Sequence, residues 1–203
     1  SSKYQSTAVP VTGSQLKNFI HQDLFPLAGI SNSVTLHCNE LGYYSIYKSD
    51  RFGFNNPNFE WDSKEIEYIL LGDSFVHGAC VNRPDDIASQ LRILSNKNVL
   101  NLGYQGNAAM SQYATLKEYF KKSTNKILWF YFEGNDLAGL KEETKNTRLL
   151  KYLNDDSHIQ NLKFKQDIID LAAKKAINKS INDFKKIEKK SERKISIKNV
   201  LIL

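Results

Sequence analysis

The sequence is poor in the residues that build metal sites and disulfide frameworks. It has two cysteines, Cys38 and Cys80, in no CxxC pattern, and only four histidines. This composition predicts no metal site and no disulfide framework, although it leaves one Cys38–Cys80 bridge open. No cofactor is predicted either. The chain has no GxGxxG and no Walker pattern, which argues against a nucleotide binder of flavodoxin-like architecture.

Long apolar runs are missing as well. The longest, Ile127 to Phe132, is far too short to span a bilayer. The chain opens at Ser1 without a methionine or a signal-peptide pattern, so a leader or anchor removed earlier remains an open alternative. Membrane attachment, compartment and oligomeric state are therefore not readable from the sequence.

The positive charge is local. The 203 residues carry a formal net charge of +6, and residues 163–198 hold 12 Lys and Arg against 5 Asp and Glu. A basic helical surface can bind nucleic acid or anionic lipid. In a lysine-rich helix, however, such a surface is more often a solvated face, so we expect no nucleic-acid partner.

Three short apolar runs, each ending in a polar loop, predict the sheet. They are Ile66–Leu71, Val99–Leu102 and Ile127–Phe132. Runs of this kind that end at a glycine or a polar turn are typical of buried strands. Helical spacing follows the first two, in 84–94 and 108–121. Strand, loop and helix in alternation predict an α/β fold with a parallel sheet and helices on both faces.

The rest of the chain divides around this unit. Residues 1–60 are expected to be a lead-in that packs on one domain, 61–203. Amphipathic helices are predicted over 141–152 and 161–190, and Asn199–Leu203 is predicted to begin a fourth buried strand. A domain that stopped there would leave a sheet edge open, so we expect the sequence to end before the domain does.

The three polar loops carry a resemblance. They read GDSFVHG at 72–78, NLGYQGN at 101–107 and EGND at 133–136. In this order, each after an apolar strand, they resemble the SGNH (GDSL-like) hydrolase superfamily. The resemblance implies a three-layer α/β/α flavodoxin-like fold. It also implies esterase, acetylesterase or acyltransferase activity on a small-molecule or carbohydrate acyl ester.

The resemblance also assigns roles. Ser74 resembles the nucleophile, while the Ser74 and Gly106 N–H groups and the Asn135 side-chain amide resemble the donors to the oxyanion. The chemistry agrees, because attack by a serine on an ester needs preorganised donors where negative charge develops. Glycine lets a backbone approach closely, and asparagine donates without charge. Asp73 and Asp136 are predicted to brace their loops.

Two features depart from the family pattern. Glu133 stands where the third motif usually has glycine, so either Glu133 points away from the site or the site serves a different acceptor. The general base of the family is a histidine in an Asp-x-x-His segment after the last strand. Asp155 to His158 has that spacing, but no strand leads into it. We therefore expect the base beyond Leu203, with His158 and Asp155 as the alternative and His77 as a packing or substrate-lining residue.

Two further alternatives stay open. Water or a sugar hydroxyl could attack the acyl-enzyme, which would make the protein a hydrolase or a transferase. The chain could also be a non-catalytic module that binds a carbohydrate or a partner. The segment 50–57, DRFGFNNP, resembles one found ahead of bacterial SGNH domains of the cell envelope, which are often tied to polysaccharide O-acylation.

Overall fold

The protein is a mixed α/β structure built on a parallel sheet. The computed structural model describes residues 8–20, 23–40 and 42–200, with side chains described up to residue 188. The strands β3 (Ile66–Leu71), β4 (Val99–Asn101) and β5 (Thr124–Trp129) form a sheet in the order β4-β3-β5. Both pairings are parallel, as the sequence predicted.

The third strand begins earlier than predicted, and it is not buried. The pairing with β3 sets the limits of β5. Ile66, where β3 starts, lies opposite Thr124, and Leu71, where β3 ends, lies opposite Trp129. The prediction of a buried strand over Ile127–Phe132 was therefore wrong in its bounds. It was also wrong in burial, since Trp129 is 47% exposed. Within the described residues β5 pairs on one side only, with β3.

Each face of the sheet packs against helices. Because successive side chains in a strand point to opposite faces, Leu70 and Ile69 of β3 enter different clusters. Leu70 packs with Val99 and with Ala88 of α3 (Ile87–Ser95). Ile69 belongs to the larger cluster, which also contains buried residues of α4 (Ala109–Tyr119). Burial of apolar surface on both faces stabilises the central strand at about 25 cal/mol per Å².

The second half of the described chain is helical, with two corrections to the prediction. The helix predicted over Lys141–Tyr152 is two helices, α5 (Asp136–Glu143) and α6 (Thr147–Asn154). They separate because the Asn146 side chain accepts the Arg148 N–H and starts a new helix.

The last helix, α7 (Gln166–Val200), follows a short 3-10 turn at Leu162–Lys165. The strand predicted from Asn199 was wrong at Asn199 and Val200, because α7 contains no glycine or proline to end it. The other residues of that prediction, 201–203, lie outside the described residues. No helix in the described part of the chain has both the length and the apolarity needed to cross a membrane.

The lead-in contributes a helical turn and a hairpin. The turn is α1 (Gly13–Leu16), and the antiparallel strands β1 (Val34–Leu36) and β2 (Ile46–Lys48) form the hairpin. Cys38 in the hairpin loop is bonded to Cys80, which follows the short helix α2 (Ser74–His77). The bridge that composition left open is therefore formed. It links the hairpin covalently to the segment that carries Ser74.

A buried carboxylate organises the connector between the hairpin and the sheet. Asp50 is fully buried, and its oxygens accept the backbone N–H groups of Phe52 and Phe54 at 2.8 and 3.0 Å. They also accept Asn56 Nδ2–H at 2.9 Å and Trp61 Nε1–H at 2.8 Å. Burial raises the pKa of the Asp50 carboxyl, and the four donors act against that shift.

Replacing Asp50→Asn should therefore destabilise the protein strongly. An amide presents two donors of its own to a site that holds four donors, so at least one buried N–H loses its acceptor. We expect the free energy of unfolding to fall by about 3 kcal/mol, measured by urea denaturation. Asp62→Asn is the matched control, because Asp62 lies in an exposed ion pair with Arg51 and its replacement should change little. Equal urea midpoints of unfolding for Asp50→Asn and Asp62→Asn would contradict this role of Asp50.

Candidate active site

The three residues singled out by sequence line one open cleft. Parallel strands end at the same edge of a sheet, so the loops after β3, β4 and β5 lie side by side. The cleft has a volume of about 380 Å³. Ser74, Gly106 and Asn135 are among its lining residues. The others are Asp73, Asn107, Ala108, Asp136, Ala138, Gly139 and Glu142.

Ser74 is the first residue of α2, directly after the turn that ends β3. Asp73 caps this helix, because its Oδ1 accepts the Phe75 N–H at 2.9 Å. The Asp73 side chain is only 7% exposed, and its Oδ2 has no hydrogen-bond partner among the described residues. Ser74 itself is half-buried. In the described part of the protein neither its Oγ nor its N–H makes a hydrogen bond, so both are free to act in the cleft.

Gly106 presents an unbonded backbone amide between two that are held. The Gln105 N–H donates to His77 Nδ1 at 3.1 Å and the Asn107 N–H to the Tyr104 carbonyl at 3.2 Å. The Gly106 N–H has no acceptor within the described ranges. Gly106 has φ +77, and a Cβ there would lie 2.7 Å from Thr12 Cγ2. Only glycine therefore fits the turn that exposes this amide.

Asn135 stands just before α5 with its side chain exposed. Its backbone is fixed, since its N–H donates to the Phe132 carbonyl at 3.3 Å and its carbonyl accepts the Gly139 N–H at 2.9 Å. The side-chain amide makes no hydrogen bond to any described residue. Asp136 next to it is 3% exposed, and its Oδ2 accepts the Phe132 N–H at 2.7 Å. The bracing role predicted for Asp73 and Asp136 is thus confirmed.

Glu133, the departure from the third motif, is exposed and does not line the cleft. Two other carboxylates lie near the cleft. Glu142 lines it and forms an exposed ion pair with Lys145 at 2.7 Å. Glu143 lines the continuation of the cleft between α1 and α6, a space of about 170 Å³. Among the described residues, no three His, Cys, Asp or Glu side chains converge as metal ligands would.

No histidine of the described chain lines the cleft. His158 packs edge-on against Tyr152, with 4.7 Å between ring centroids. Asp155 does not bind its ring. The Asp155 Oδ1 accepts the Ser157 N–H and hydroxyl instead, and these bonds lower the pKa of its carboxyl. His77 and His37 pack together on the hairpin side, and His21 lies outside the described residues.

Sequence reasoning missed the side chain that fixes the start of α4. The Glu143 carboxylate accepts the N–H groups of Ala108, Met110 and Ser111 at 3.0, 2.9 and 3.2 Å. N–H groups at the start of a helix have no acceptor within the helix itself. The Glu143 carboxylate supplies one, and its negative charge also complements the helix dipole. Glu143 is more than thirty positions away in sequence, so no local signal in the Gly106 loop points to it.

Comparison with known proteins adds a partial likeness in fold. No protein-family model matches the chain, and no curated protein matches it. The chain is similar to the crystal structure of AlinE4, a SGNH-hydrolase family esterase, with a TM-score of 0.31 and 15% sequence identity. The match covers 47% of this chain and 56% of that esterase, little more than half of its length. A likeness of this size carries no argument about activity.

Removing the Glu143 carboxylate should loosen the loop that holds Gly106. In Glu143→Ala three N–H groups at the start of α4 lose their acceptor, which should cost about 1–2 kcal/mol of local stability. We expect faster hydrogen exchange at Met110 and Ser111, measured by NMR. Glu142→Ala is the matched control, because within the described ranges the neighbouring carboxylate pairs with exposed Lys145 alone. Unchanged exchange in Glu143→Ala would contradict this role.

Proposed function

We propose that the protein is a serine-dependent acyl-ester hydrolase or acyltransferase of the SGNH (GDSL-like) kind. One observation carries the proposal. A serine hydroxyl, two unbonded backbone N–H groups, those of Ser74 and Gly106, and the unbonded amide of Asn135 belong to residues that line a single cleft. The fold we propose is the three-layer α/β/α flavodoxin-like one, with residues 1–60 packing on a domain that begins near residue 61.

The proposed chemistry follows from these groups. Ser74 Oγ attacks the ester carbonyl as a base removes its proton, and a new C–O bond forms at the carbonyl carbon. Negative charge then develops on the carbonyl oxygen, where the Ser74 and Gly106 N–H groups and the Asn135 amide donate hydrogen bonds. The alcohol leaves with a proton. Water or a second hydroxyl then attacks the acyl-serine. This step transfers the acyl group to the attacking oxygen and restores the Ser74 hydroxyl.

We infer that the general base comes from outside the described residues. The carboxylates that line the cleft are Asp73, Asp136 and Glu142. Each binds a backbone N–H or Lys145 through one carboxylate oxygen, while Asp73 Oδ2 has no partner among the described residues. The histidines of the described chain lie away from the cleft.

The proposed substrate is a small-molecule or carbohydrate acyl ester. The continuation of the cleft between α1 and α6 offers room for the alcohol part, with polar side chains from Thr12, Ser14 and Asn146. The Cys38–Cys80 bridge is compatible with the oxidising environment of a cell envelope, which the DRFGFNNP segment also suggests by analogy.

A fluorophosphonate probe tests the proposal directly, because it phosphonylates only an activated serine. We expect the full-length protein to be labelled and Ser74→Ala to be unlabelled, as read by mass spectrometry of the modified peptide. Asn135→Ala should be labelled about 100-fold more slowly through loss of one donor. Ser63→Ala is the matched control, since Ser63 lies outside the cleft and binds the Phe59 carbonyl. A label that persists in Ser74→Ala would refute the proposal.

His158→Ala separates the two candidates for the base. His158 lies against Tyr152 and not in the cleft, so its removal should leave hydrolysis of p-nitrophenyl acetate by the full-length protein unchanged. Folding is checked by circular dichroism. Loss of hydrolysis in a folded His158→Ala protein would instead assign the base to His158, with Asp155 as its partner.

A non-catalytic binding module is the second candidate function. The observation that favours it is the lack of a histidine in the cleft among the described residues. The labelling experiment distinguishes the two candidates. A folded full-length protein whose Ser74 stays unlabelled, while the cleft still binds a soluble oligosaccharide in calorimetry, would be a binding module.

A further inference from the structure

His77 is the most deeply enclosed titratable group near the candidate site. It ends α2, three residues after Ser74, and its side chain is 0% exposed. Its ring stacks on Tyr104 at 4.6 Å between centroids and packs against His37 at 4.3 Å and Tyr47 at 5.3 Å. The ring therefore lies between the nucleophile helix, the hairpin and the Gly106 loop.

Both ring nitrogens of His77 have partners, and these partners define the tautomer. The Gln105 N–H donates to Nδ1 at 3.1 Å, so Nδ1 must carry a free lone pair. The proton of the neutral ring then sits on Nε2, which lies 2.8 Å from the Tyr47 hydroxyl and donates to it. A second proton, on Nδ1, would place two donors against each other.

Gln105 makes two hydrogen bonds to histidine rings, one to His77 and one to His37. Its backbone N–H binds His77, and its side-chain Oε1 lies 2.8 Å from His37 Nε2. His37 stands next to Cys38, whose bridge to Cys80 joins the hairpin to the end of α2. Gln105 immediately precedes Gly106, so the orientation of the Gly106 amide is set one peptide away from the His77 ring.

We propose that His77 is a positioning residue: its neutral ring fixes the Gln105 peptide and thereby aims the Gly106 N–H into the cleft. This inference rests on the proposed function for its catalytic consequence. The geometry it invokes is independent of that function. No sequence motif announces the role, because it depends on a hairpin residue, a loop residue and a helix residue that meet only in the fold.

The surroundings keep the ring neutral. Burial lowers the pKa of His77 well below its ordinary value of 6.5, and nearby His37 lowers it further. The other titratable groups that face the ring are Tyr47 of the hairpin and Tyr104 of the loop. Burial raises the pKa of both, so they too stay neutral. As the pH falls, His77 of the unfolded chain is protonated near pH 6.5, whereas His77 of the folded protein is protonated only at lower pH. The contribution of His77 to stability is therefore complete above pH 6.5 and is lost as the pH falls below 6.5 toward the lowered pKa.

Two substitutions of His77 test the proposal in the full-length protein. His77→Phe keeps the stacking and loses the acceptor, whereas His77→Gln keeps an oxygen that can accept the Gln105 N–H. We expect kcat for p-nitrophenyl acetate to fall about 100-fold in His77→Phe, with KM unchanged, because the amide of Gly106 is misplaced. His77→Gln should recover most of the loss. Ser63→Ala is the control, with kcat unchanged, because Ser63 lies outside the cleft and binds the Phe59 carbonyl.

NMR gives a readout that does not require activity. In protein with ¹⁵N-labelled histidine, a coupling across the hydrogen bond should connect the Gln105 amide to His77 Nδ1. The Gly106 amide signal should shift in His77→Phe and hold its place in His77→Gln. If the wild-type protein neither labels nor hydrolyses, the proposed function fails while these signals still decide the role of His77.

Three results would overturn the inference. They are a folded His77→Phe protein with wild-type kcat, a His77→Gln protein as impaired as His77→Phe, and the lack of a Gln105–Nδ1 coupling in the wild type. If His77→Phe does not fold, His77→Gln and the wild-type coupling carry the decision. Near-wild-type kcat in His77→Gln together with the coupling supports the role, and the lack of either one refutes it.

Discussion

The candidate site depends on one constraint, the parallel pairing of β3 with a strand on each side. Because β4 and β5 both run parallel to β3, the chain leaves all three strands at the same edge. Each exit must turn toward a helix, and the polar residues of the turns then share one space. An antiparallel neighbour would have sent its following loop to the opposite edge. The shared cleft of Ser74, Gly106 and Asn135 follows from this direction of pairing.

The loops around the cleft are held by side-chain acceptors that reach them from other elements. Glu143 binds the start of α4, and His77 binds Gln105. Near the C-terminal end of α4, Glu118 accepts the Tyr152 hydroxyl and the Leu162 N–H. A buried N–H without a partner costs about 1–3 kcal/mol. Each of these side chains therefore makes one loop conformation clearly favourable, and the Gly106 and Ser74 amides stand out because they lack such a partner among the described residues.

The lead-in takes part in the site. Thr12 lies where a side chain on Gly106 would have to go, and Tyr47 and His37 enclose the ring of His77. The disulfide between Cys38 and Cys80 attaches this hairpin to the segment that follows α2. Under the proposed function, the donors gain from such fixed surroundings, because they do not have to reorganise when the negative charge appears.

The sequence by itself determined the α/β class of the fold and singled out three residues that line the cleft, Ser74, Gly106 and Asn135. Apolar runs that end in Gly-Asp-Ser or in a glycine loop are local features, and they identified β3, β4 and the turns with Ser74 and Gly106. The helix break at Asn146 and the early start of β5 at Thr124 were missed. The first is set by a cap within the helical pattern, and the second by register with Ile66.

Only the tertiary structure decided which distant side chains complete the site. Glu143 and the start of α4, His77 and Gln105, and Cys38 and Cys80 are pairs separated by 28 to 42 positions. Nothing in the sequence indicates the first two contacts, whereas the cysteine composition left the Cys38–Cys80 bridge open. Hydrogen bonds of this kind form where the packing of helices and hairpin brings a buried donor to an acceptor, and packing is a property of the whole chain. Local sequence patterns identified the candidate site residues. Which distant side chains hold the loops of that site depends on the tertiary structure.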